Sequence, residues 1–366
     1  MSDVQAPEDV PSEDVPSEIL DLVRQIADRT FEGVSMRHPA MPPLRRMAEQ
    51  RLARRLMDDP DWRPACGWPR FDIREFLHRK IEYQPLGPLQ MAVRRIKLPT
   101  LPRVWFELRR AMEQPVCDSE HIARIVSVDP KLTAIILSLV NSPFFGLSAK
   151  VDTISRAVTV LGTKPLSGLA LGSMLVAMFQ DVAPEVLDVN AFWRHCMCVA
   201  VLGRNLAVRA GRSDPERYFV AGLLHDLGRI ALFSAEPELS KMAIALQQQD
   251  NLDLAEAERK VFDFDHAMLG ALLLKEWRLP GSLVVTAMHH HSAEGCVNHE
   301  VAEVVHVANC IAVTLGYGAC EETRAPRMGL ECWRRLGVPP EALEEIVADM
   351  DAQVEGLFAP FARTGD

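Results

Sequence analysis

The sequence predicts an all-α fold, and three observations carry that expectation. Apolar residues recur at helical spacing through most of the chain, with almost no period-two runs and no Asn-Gly hairpin signal. The composition is 48% hydrophobic but only 6% aromatic, with Ala, Leu and Val dominant, which suits helix packed on helix. The breaks fall at helix signals: Asp-Pro before apolar stripes, and Gly or Asn-Ser-Pro after them.

The elements follow in order. Residues 1–17 lie in an acidic stretch where D-V-P-S-E occurs twice between Asp9 and Glu18. Without apolar periodicity such a segment cannot offset its ordering entropy, so a disordered tail is expected. Residues 18–90 read as three helical segments separated by proline-rich breaks, with no sensor, receiver or cyclase pattern. In the second, Leu44, Met47, Ala48, Leu52 and Leu56 form one stripe, while Arg45, Arg46, Arg51, Arg54 and Arg55 fall largely on other faces. A basic amphipathic helix can bind a membrane or RNA, but it is more often a solvated face packed on a neighbour.

Beyond Leu98 the punctuation sharpens. Asp129-Pro130 opens a helix that buries Leu132, Ile135, Ile136, Leu139 and Val140, and Asn141-Ser142-Pro143 stops it. Phe144 and Phe145, before Gly146, are expected to anchor that turn on the core. A helix from Ile154 to Leu161 ends at Gly162. Another starts near Asn190, places Phe192, His195, Val199, Leu202 and Leu206 on one face, and ends at Gly211. Asp214-Pro215 is expected to open a helix that carries Gly222 to Asp226 and closes around Gly228. Asp265 can cap a helix from His266, Pro280 can open one reaching His291, and a last one spans His299 to Leu315. The stretch from Arg324 to Asp366, with a Pro339-Pro340 break and an acidic helix over Glu341 to Val354, is expected to pack or cap rather than form a site.

Composition excludes some functions. At 366 residues the chain has room for about two domains. A net charge of −10 argues against a chain-wide nucleic-acid binder, which needs Lys and Arg to displace phosphate counterions. The eight cysteines are scattered, with no C-x-x-C pair, and are expected to be reduced thiols. The acidic, proline-rich start is unlike a signal peptide, and the longest mostly apolar stretch, Leu166 to Phe179, is too short to span a bilayer. A cytoplasmic location follows as the expectation.

The chemistry lies in the histidines. His195 shares a face with Phe192 and Val199, and His290 and His291 follow Leu283, Val284 and Ala287 at helical spacings. Asn309 lies with Ala302, Val305 and Ala312. A buried imidazole needs a hydrogen-bond partner or a metal, because an unsatisfied polar group costs about 1–3 kcal/mol. Any one of them is most simply a satisfied core histidine; several on separate helices shift the balance toward a first-row metal, the alternative being histidines hydrogen-bonded to one another and to Asp226 with no metal. His225 and Asp226 are neighbours whose side chains point about 100° apart on a helix. They can grip one ion only in a cleft between helices, best near a helix end, which Gly228 is expected to supply. His195, His225, Asp226, His266, His290 and His291 are therefore expected to converge.

A helical His, then Gly222-Leu223-Leu224-His225-Asp226-Leu227-Gly228-Arg229, then His266, then His290-His291 resembles the HD superfamily. The preceding segment resembles, within it, the HDOD family of bacterial signal-transduction proteins. Leu98-Pro99-Thr100-Leu101-Pro102, Asp129-Pro130, Asn141-Ser142-Pro143-Phe144-Phe145-Gly146, Leu161-Gly162, Phe192-Trp193, Trp277-Arg278-Leu279-Pro280 and the Val304–Ala312 helix stand in that family's order. The resemblance implies a multi-helical bundle with an N-terminal helical half and an HD-like C-terminal half. It implies a 91–318 HDOD domain, flanked by an 18–90 helical segment and a 319–366 helical appendage. It also implies a regulatory, non-catalytic module acting through contacts with signalling proteins.

Hydrolytic relatives, the HD-GYP phosphodiesterases, imply metal ligands at His195, His225, Asp226, His266, His290 and His291, for Fe, Mn or Zn. Asn309 stands where those enzymes supply Asp, and Ala191 where they commonly offer Glu. Ser292-Ala293-Glu294-Gly295 replaces their Gly-Tyr-Pro segment. Two alternatives to the scaffold stay open: a metal-dependent phosphohydrolase acting on a nucleotide or cyclic dinucleotide, and a nucleotide sensor that does not cleave. No membrane span and no nucleic-acid partner are expected.

Overall fold

A computed structural model describes residues 15–59, 101–112, 119–179, 182–292, 299–318 and 324–362, and every regular element among them is a helix. Helices α1 (Ser17–Thr30) and α2 (Met41–Asp58) form an N-terminal pair packed on each other. Leu44, Met47, Ala48 and Leu56 are buried on α2, with Leu52 half-buried. Three of its five arginines go to carboxylates: Arg45 to Asp28 and Glu49, Arg46 to Glu344, Arg51 to Asp351. The basic helix is thus a packed and ion-paired one. The third helical segment expected before residue 90 lies outside the described residues, as do residues 1–14 of the expected tail.

Five helices follow: α3 (Arg103–Met112), α4 (Ser119–Ser127), α5 (Pro130–Val140), α6 (Ile154–Leu161) and α7 (Thr163–Met178). The start of α5 is fixed by the Asp129 carboxylate, which accepts from Leu132 N–H, and by Pro130 in the first turn. All five apolar residues expected inside on α5 are buried. Asn141 then clamps the exit, donating to Leu137 O and Val151 O and accepting from Val151 N–H. Ser142 is the residue before a short 3₁₀ turn, Pro143–Phe145, and Gly146 is the one after it. Phe144 from this turn is buried against Phe219, at 5.0 Å between ring centroids. Gly162 ends α6 as expected.

The middle of the molecule is α8 (Val189–Arg209), capped by Asp188 and buried over most of its length. Against it lie α9 (Glu216–Leu224), α15 (Glu300–Thr314) and α18 (Met350–Ala362). Between α9 and α15 the chain forms α10 (Leu227–Ala235), α11 (Pro237–Asp250), α12 (Leu254–Phe262), α13 (His266–Glu276) and α14 (Gly281–His289). Asp265 caps α13 by accepting from Met268 N–H. Two short helices, α16 (Leu330–Leu336) and α17 (Leu343–Val347), precede α18. One hydrophobic cluster runs from Phe31 and Met41 through α8 to Leu357 and Phe361, so both flanks share the central core. Burying a side chain such as Leu357 or Phe358 contributes about 1.5–3 kcal/mol, which gives the C-terminal appendage its packing role.

Asp214-Pro215 opens α9 as expected, with Asp214 at a left-handed φ of 53° and Pro215 the residue before the helix. Two local expectations need correction. The helix after Pro215 does not run on to Gly228: it stops at Leu224, and α10 begins at Leu227 with Gly228 inside its first turn. At the break, His225-Asp226, the His225 ring turns back onto Gly222 O, at 2.6 Å. The acidic stretch from Glu341 is not one helix but a 3₁₀ turn (Pro340–Ala342), α17 and α18. That division lets Leu343 and Ile346, then Met350 and Val354, all reach the core.

Candidate metal centre

Two close backbone approaches bring the site together. At Gly222 an added Cβ would lie 2.7 Å from Ala200 Cα and 2.8 Å from Val199 O, so only glycine lets α9 touch α8 there. At Gly228 it would lie 1.9 Å from His266 O and 2.4 Å from Gly270 N, so glycine seats α10 directly on α13. The first contact sets His225 beside His195, and the second sets Asp226 beside His266. The glycines of the motif work by proximity, not by ending a helix.

The six side chains expected to converge do so. His195, His225 and Asp226 form one group whose ligand atoms lie within 4.8 Å of one another, and His266, His290 and His291 form a second. Asp226 Oδ1 joins them, 3.3 Å from His266 Nε2 and 3.8 Å from His290 Nε2. Within the groups, His195 Nε2 is 3.2 Å from His225 Nε2, and His266 Nε2 is 2.7 Å from His291 Nε2. Five of the six are buried, while His291 is exposed and marks the side open to solvent. Asn309 is buried on α15, which packs against α8, α9 and α14, and its Oδ1 accepts no hydrogen bond. Ala191, in the first turn of α8, brings no ligand atom.

Each inward nitrogen is set by what its ring's other nitrogen touches. His195 Nδ1 lies 2.6 Å from Tyr317 O, His225 Nδ1 2.6 Å from Gly222 O and His290 Nδ1 2.8 Å from Ala287 O. Carbonyl oxygens only accept, so these Nδ1 atoms donate, and in the neutral ring Nε2 keeps its lone pair. His266 Nδ1 faces a carboxylate instead, 2.6 Å from Glu258 Oε2, which also accepts from the His266 backbone N–H at 2.8 Å. This is the arrangement by which outer partners orient metal-binding imidazoles.

Charge completes the description. Burial lowers the His195 pKa, and burial together with His225 lowers that of His290 well below the ordinary histidine value, so both are neutral donors at neutral pH. Burial opposes ionisation of Asp226 too, but His266 and Arg229 outweigh it and hold its carboxyl far below the usual range. Burial likewise opposes a charge on His266, yet Glu258 and Asp226 raise its pKa to about 9. Lone pairs on nitrogens as close as His266 and His291 repel, so a proton or a cation belongs between them. Asp226 Oδ1 and His290 Nε2 are buried and make no hydrogen bond within the protein. Imidazole nitrogens around one carboxylate form a donor set suited to Fe, Mn or Zn, so the residues fit a metal.

Sequence reasoning missed four contributors. Glu258 is wholly buried, and its signal was an acid on the face of α12 that carries Leu254, Val261 and Phe262. Arg229 is fully buried 3.4 Å from Asp226 Oδ2, although the motif that contains it was noticed. His306 is buried on α15 with Nδ1 2.9 Å from His290 O. Tyr317 acts through its carbonyl, which no residue pattern reports.

An all-helical fold that gathers a helix-borne histidine, a His-Asp pair at a helix break and later histidines defines a protein of the HD superfamily. The chain belongs to the HDOD domain family, whose model matches residues 98–293. Over 196 residues it is 29% identical to an uncharacterized protein of Treponema pallidum (strain Nichols), covering 53% of this chain and 38% of that protein. The match thus spans well under half of that relative's length.

Among solved structures, the fold is similar to an HDOD domain protein of unknown function from Geobacter sulfurreducens, with TM-score 0.56 and 22% identity. That alignment covers 72% of this chain and 96% of the other. A candidate phosphohydrolase from Shewanella amazonensis SB2B aligns with TM-score 0.61 and 25% identity over 74% of this chain and 97% of its own. A candidate signal transduction protein from Marinobacter aquaeolei VT8 aligns with TM-score 0.56 and 17% identity, over 81% and 67%. No helix among the described residues is long and apolar enough to cross a membrane.

Proposed function

We propose that the chain is a regulatory protein whose HDOD domain holds a divalent Fe, Mn or Zn ion and acts through contacts with signalling proteins rather than by turnover. On this reading His195, His225, Asp226, His266, His290 and His291 are the ligands, and residues 91–318 form the domain. The observation that carries it is the orientation of the imidazoles: tethered Nδ1 atoms send Nε2 atoms toward Asp226 Oδ1, which accepts no hydrogen bond and has His266 Nε2 3.3 Å away. Such preorganisation has a function only if something sits between those atoms. When bound, the ion supplies Lewis acidity and a fixed positive charge.

The shortage of acids supports a non-hydrolytic role. Asn309 and Ala191 supply no carboxylate, and two-metal hydrolysis needs enough anionic ligand to hold ions about 3.5–4 Å apart. Burial of five of the six ligands also favours a conformational element over a substrate cleft.

A second reading, a phosphohydrolase acting on a nucleotide or cyclic dinucleotide, has one observation in its favour. Asp226 Oδ1 stands within 3.3–3.8 Å of imidazoles of the second group while belonging to the first, as a bridging carboxylate would. A screen of the Mn-, Fe- and Zn-loaded protein against phosphodiesters and cyclic dinucleotides separates the two. The regulatory reading expects no product. Turnover that disappears in Asp226→Ala would sink it, and saturable cyclic-dinucleotide binding without product would turn it toward a sensor.

A further inference from the structure

His195 is the one clustered histidine whose ring is tethered to a loop outside its own helix and its neighbours in the motif. Its Nδ1 lies 2.6 Å from the carbonyl of Tyr317, just beyond the end of α15. The chain is turned there by Gly316 at φ 87°, with Gly316 N–H bonded to Val313 O and Tyr317 N–H to Ala312 O. A left-handed glycine that closes a helix in this way fixes where the next carbonyl points.

The Tyr317 side chain is held from two directions. Its hydroxyl donates to Asp351 Oδ1 on α18 at 2.5 Å. The same carboxylate receives both terminal nitrogens of Arg51, at 2.7 Å each, in the planar paired geometry that guanidinium and carboxylate favour. Arg51 Nε donates to Leu315 O at 3.1 Å, and its guanidinium lies 5.4 Å from the centre of the Tyr317 ring. Arg51 belongs to α2, in the N-terminal pair. One side chain of that pair therefore grips Leu315, the residue that closes α15, the loop residue that orients His195, and the helix behind it.

We infer that Arg51 is a positioning residue for the candidate metal site: docking of α1 and α2 holds the Tyr317 carbonyl, and hence His195, in the metal-binding orientation. The inference rests on the metal-holding reading and names its regulation. Because coupling between two binding equilibria is reciprocal, whatever draws the N-terminal pair away loosens the ion, and the ion tightens the pair. The N-terminal pair, which carries no site chemistry of its own, becomes the input of the module.

The test compares full-length wild type with Arg51→Met, Tyr317→Phe and Arg46→Met. Methionine keeps most of the apolar stem of arginine. Arg46, elsewhere on α2, pairs with Glu344 on α17 rather than with Asp351, so it controls for general loosening of α2. Zn²⁺ affinity is read by chelator competition, and the His195 Nδ1–H hydrogen bond by long-range histidine ¹H–¹⁵N spectra. Arg51→Met is expected to weaken Zn²⁺ binding about fivefold to tenfold and to shift the His195 signal. Tyr317→Phe should act in the same direction, and Arg46→Met should do neither. Unchanged affinity and signal in Arg51→Met overturn the inference, as does an equal effect of Arg46→Met. A wild type that takes up no Zn²⁺, while Arg51→Met still moves His195, overturns the metal reading and leaves the positioning role standing.

Discussion

Glu258 Oε2 accepts from two nitrogens of His266 at once, the ring Nδ1 at 2.6 Å and the backbone N–H at 2.8 Å, with both residues sealed from solvent. A single carboxylate oxygen thereby fixes the start of α13 and the direction of the nitrogen that faces His291 and Asp226. Glu258→Gln keeps an acceptor but removes the charge, so metal affinity should fall about 10- to 100-fold, the usual cost of losing an outer partner. Glu258→Ala should also destabilise the fold by about 1–3 kcal/mol, because both His266 donors lose their partner. Chelator competition and thermal unfolding measure the two effects.

The same pair predicts a pH dependence. The His266 pKa rises from 6.5 to about 9 on folding, since Glu258 and Asp226 outweigh the cost of burial. A raised pKa gives stability that is complete below the unfolded value and lost as pH rises through the folded one. Protein stripped with chelator should therefore melt at falling temperatures between about pH 6.5 and 9. Asp226, held far below the usual carboxylate range, stabilises from ordinary acidic pH upward and fails only in strong acid, so it adds no slope in that window. His266→Gln should flatten the profile. A slope that persists in that variant would assign the effect to another group.

Much of this was legible in the sequence, and the boundary is physical. Caps at Asp129 and Asp265 were readable because their chemistry acts within three residues. Convergence of His195, His225, Asp226, His266, His290 and His291 was readable because helical phase predicts which way a side chain faces, and an apolar face must find a core. Gly228 was misread as a helix stop because a glycine that admits a second backbone and one that ends a helix look alike in one dimension. Glu258, the Tyr317 carbonyl and the Arg51–Asp351 pair stayed hidden because their partners are fixed only once distant helices pack.

Gly228 gives a direct test of close packing. Gly228→Ala would place a methyl group 1.9 Å from His266 O, a contact that only separation of α10 from α13 relieves. The expected loss is about 3 kcal/mol or more, at the upper end for overpacking. At Gly270 the nearest contact is 3.0 Å, so Gly270→Ala should be milder. Denaturant melts of the two variants should rank in that order; the reverse order would contradict the packing described.

Restoring the missing acid probes the limit on metal loading. Asn309 is buried with Oδ1 unsatisfied on a helix packed against the carriers of His195 and His290. Asn309→Asp adds an anionic ligand in place of a neutral carbonyl, so elemental analysis after reconstitution should show more bound ion than wild type. Equal loading would mean that position 309 does not reach the ions.

Whether the cluster holds a metal turns on Asp226, the carboxylate among the six side chains, whose Oδ1 lies 3.3 Å and 3.8 Å from two imidazoles of the second group. Elemental analysis of wild type and Asp226→Asn, reconstituted alike and checked for equal helical content, tests it most directly. Wild type should carry about one Fe, Mn or Zn per chain and the variant little, because Asp226 is the one carboxylate among the six proposed ligands. A wild type that stays free of metal, or a folded Asp226→Asn that keeps the full complement, would contradict the metal-holding reading.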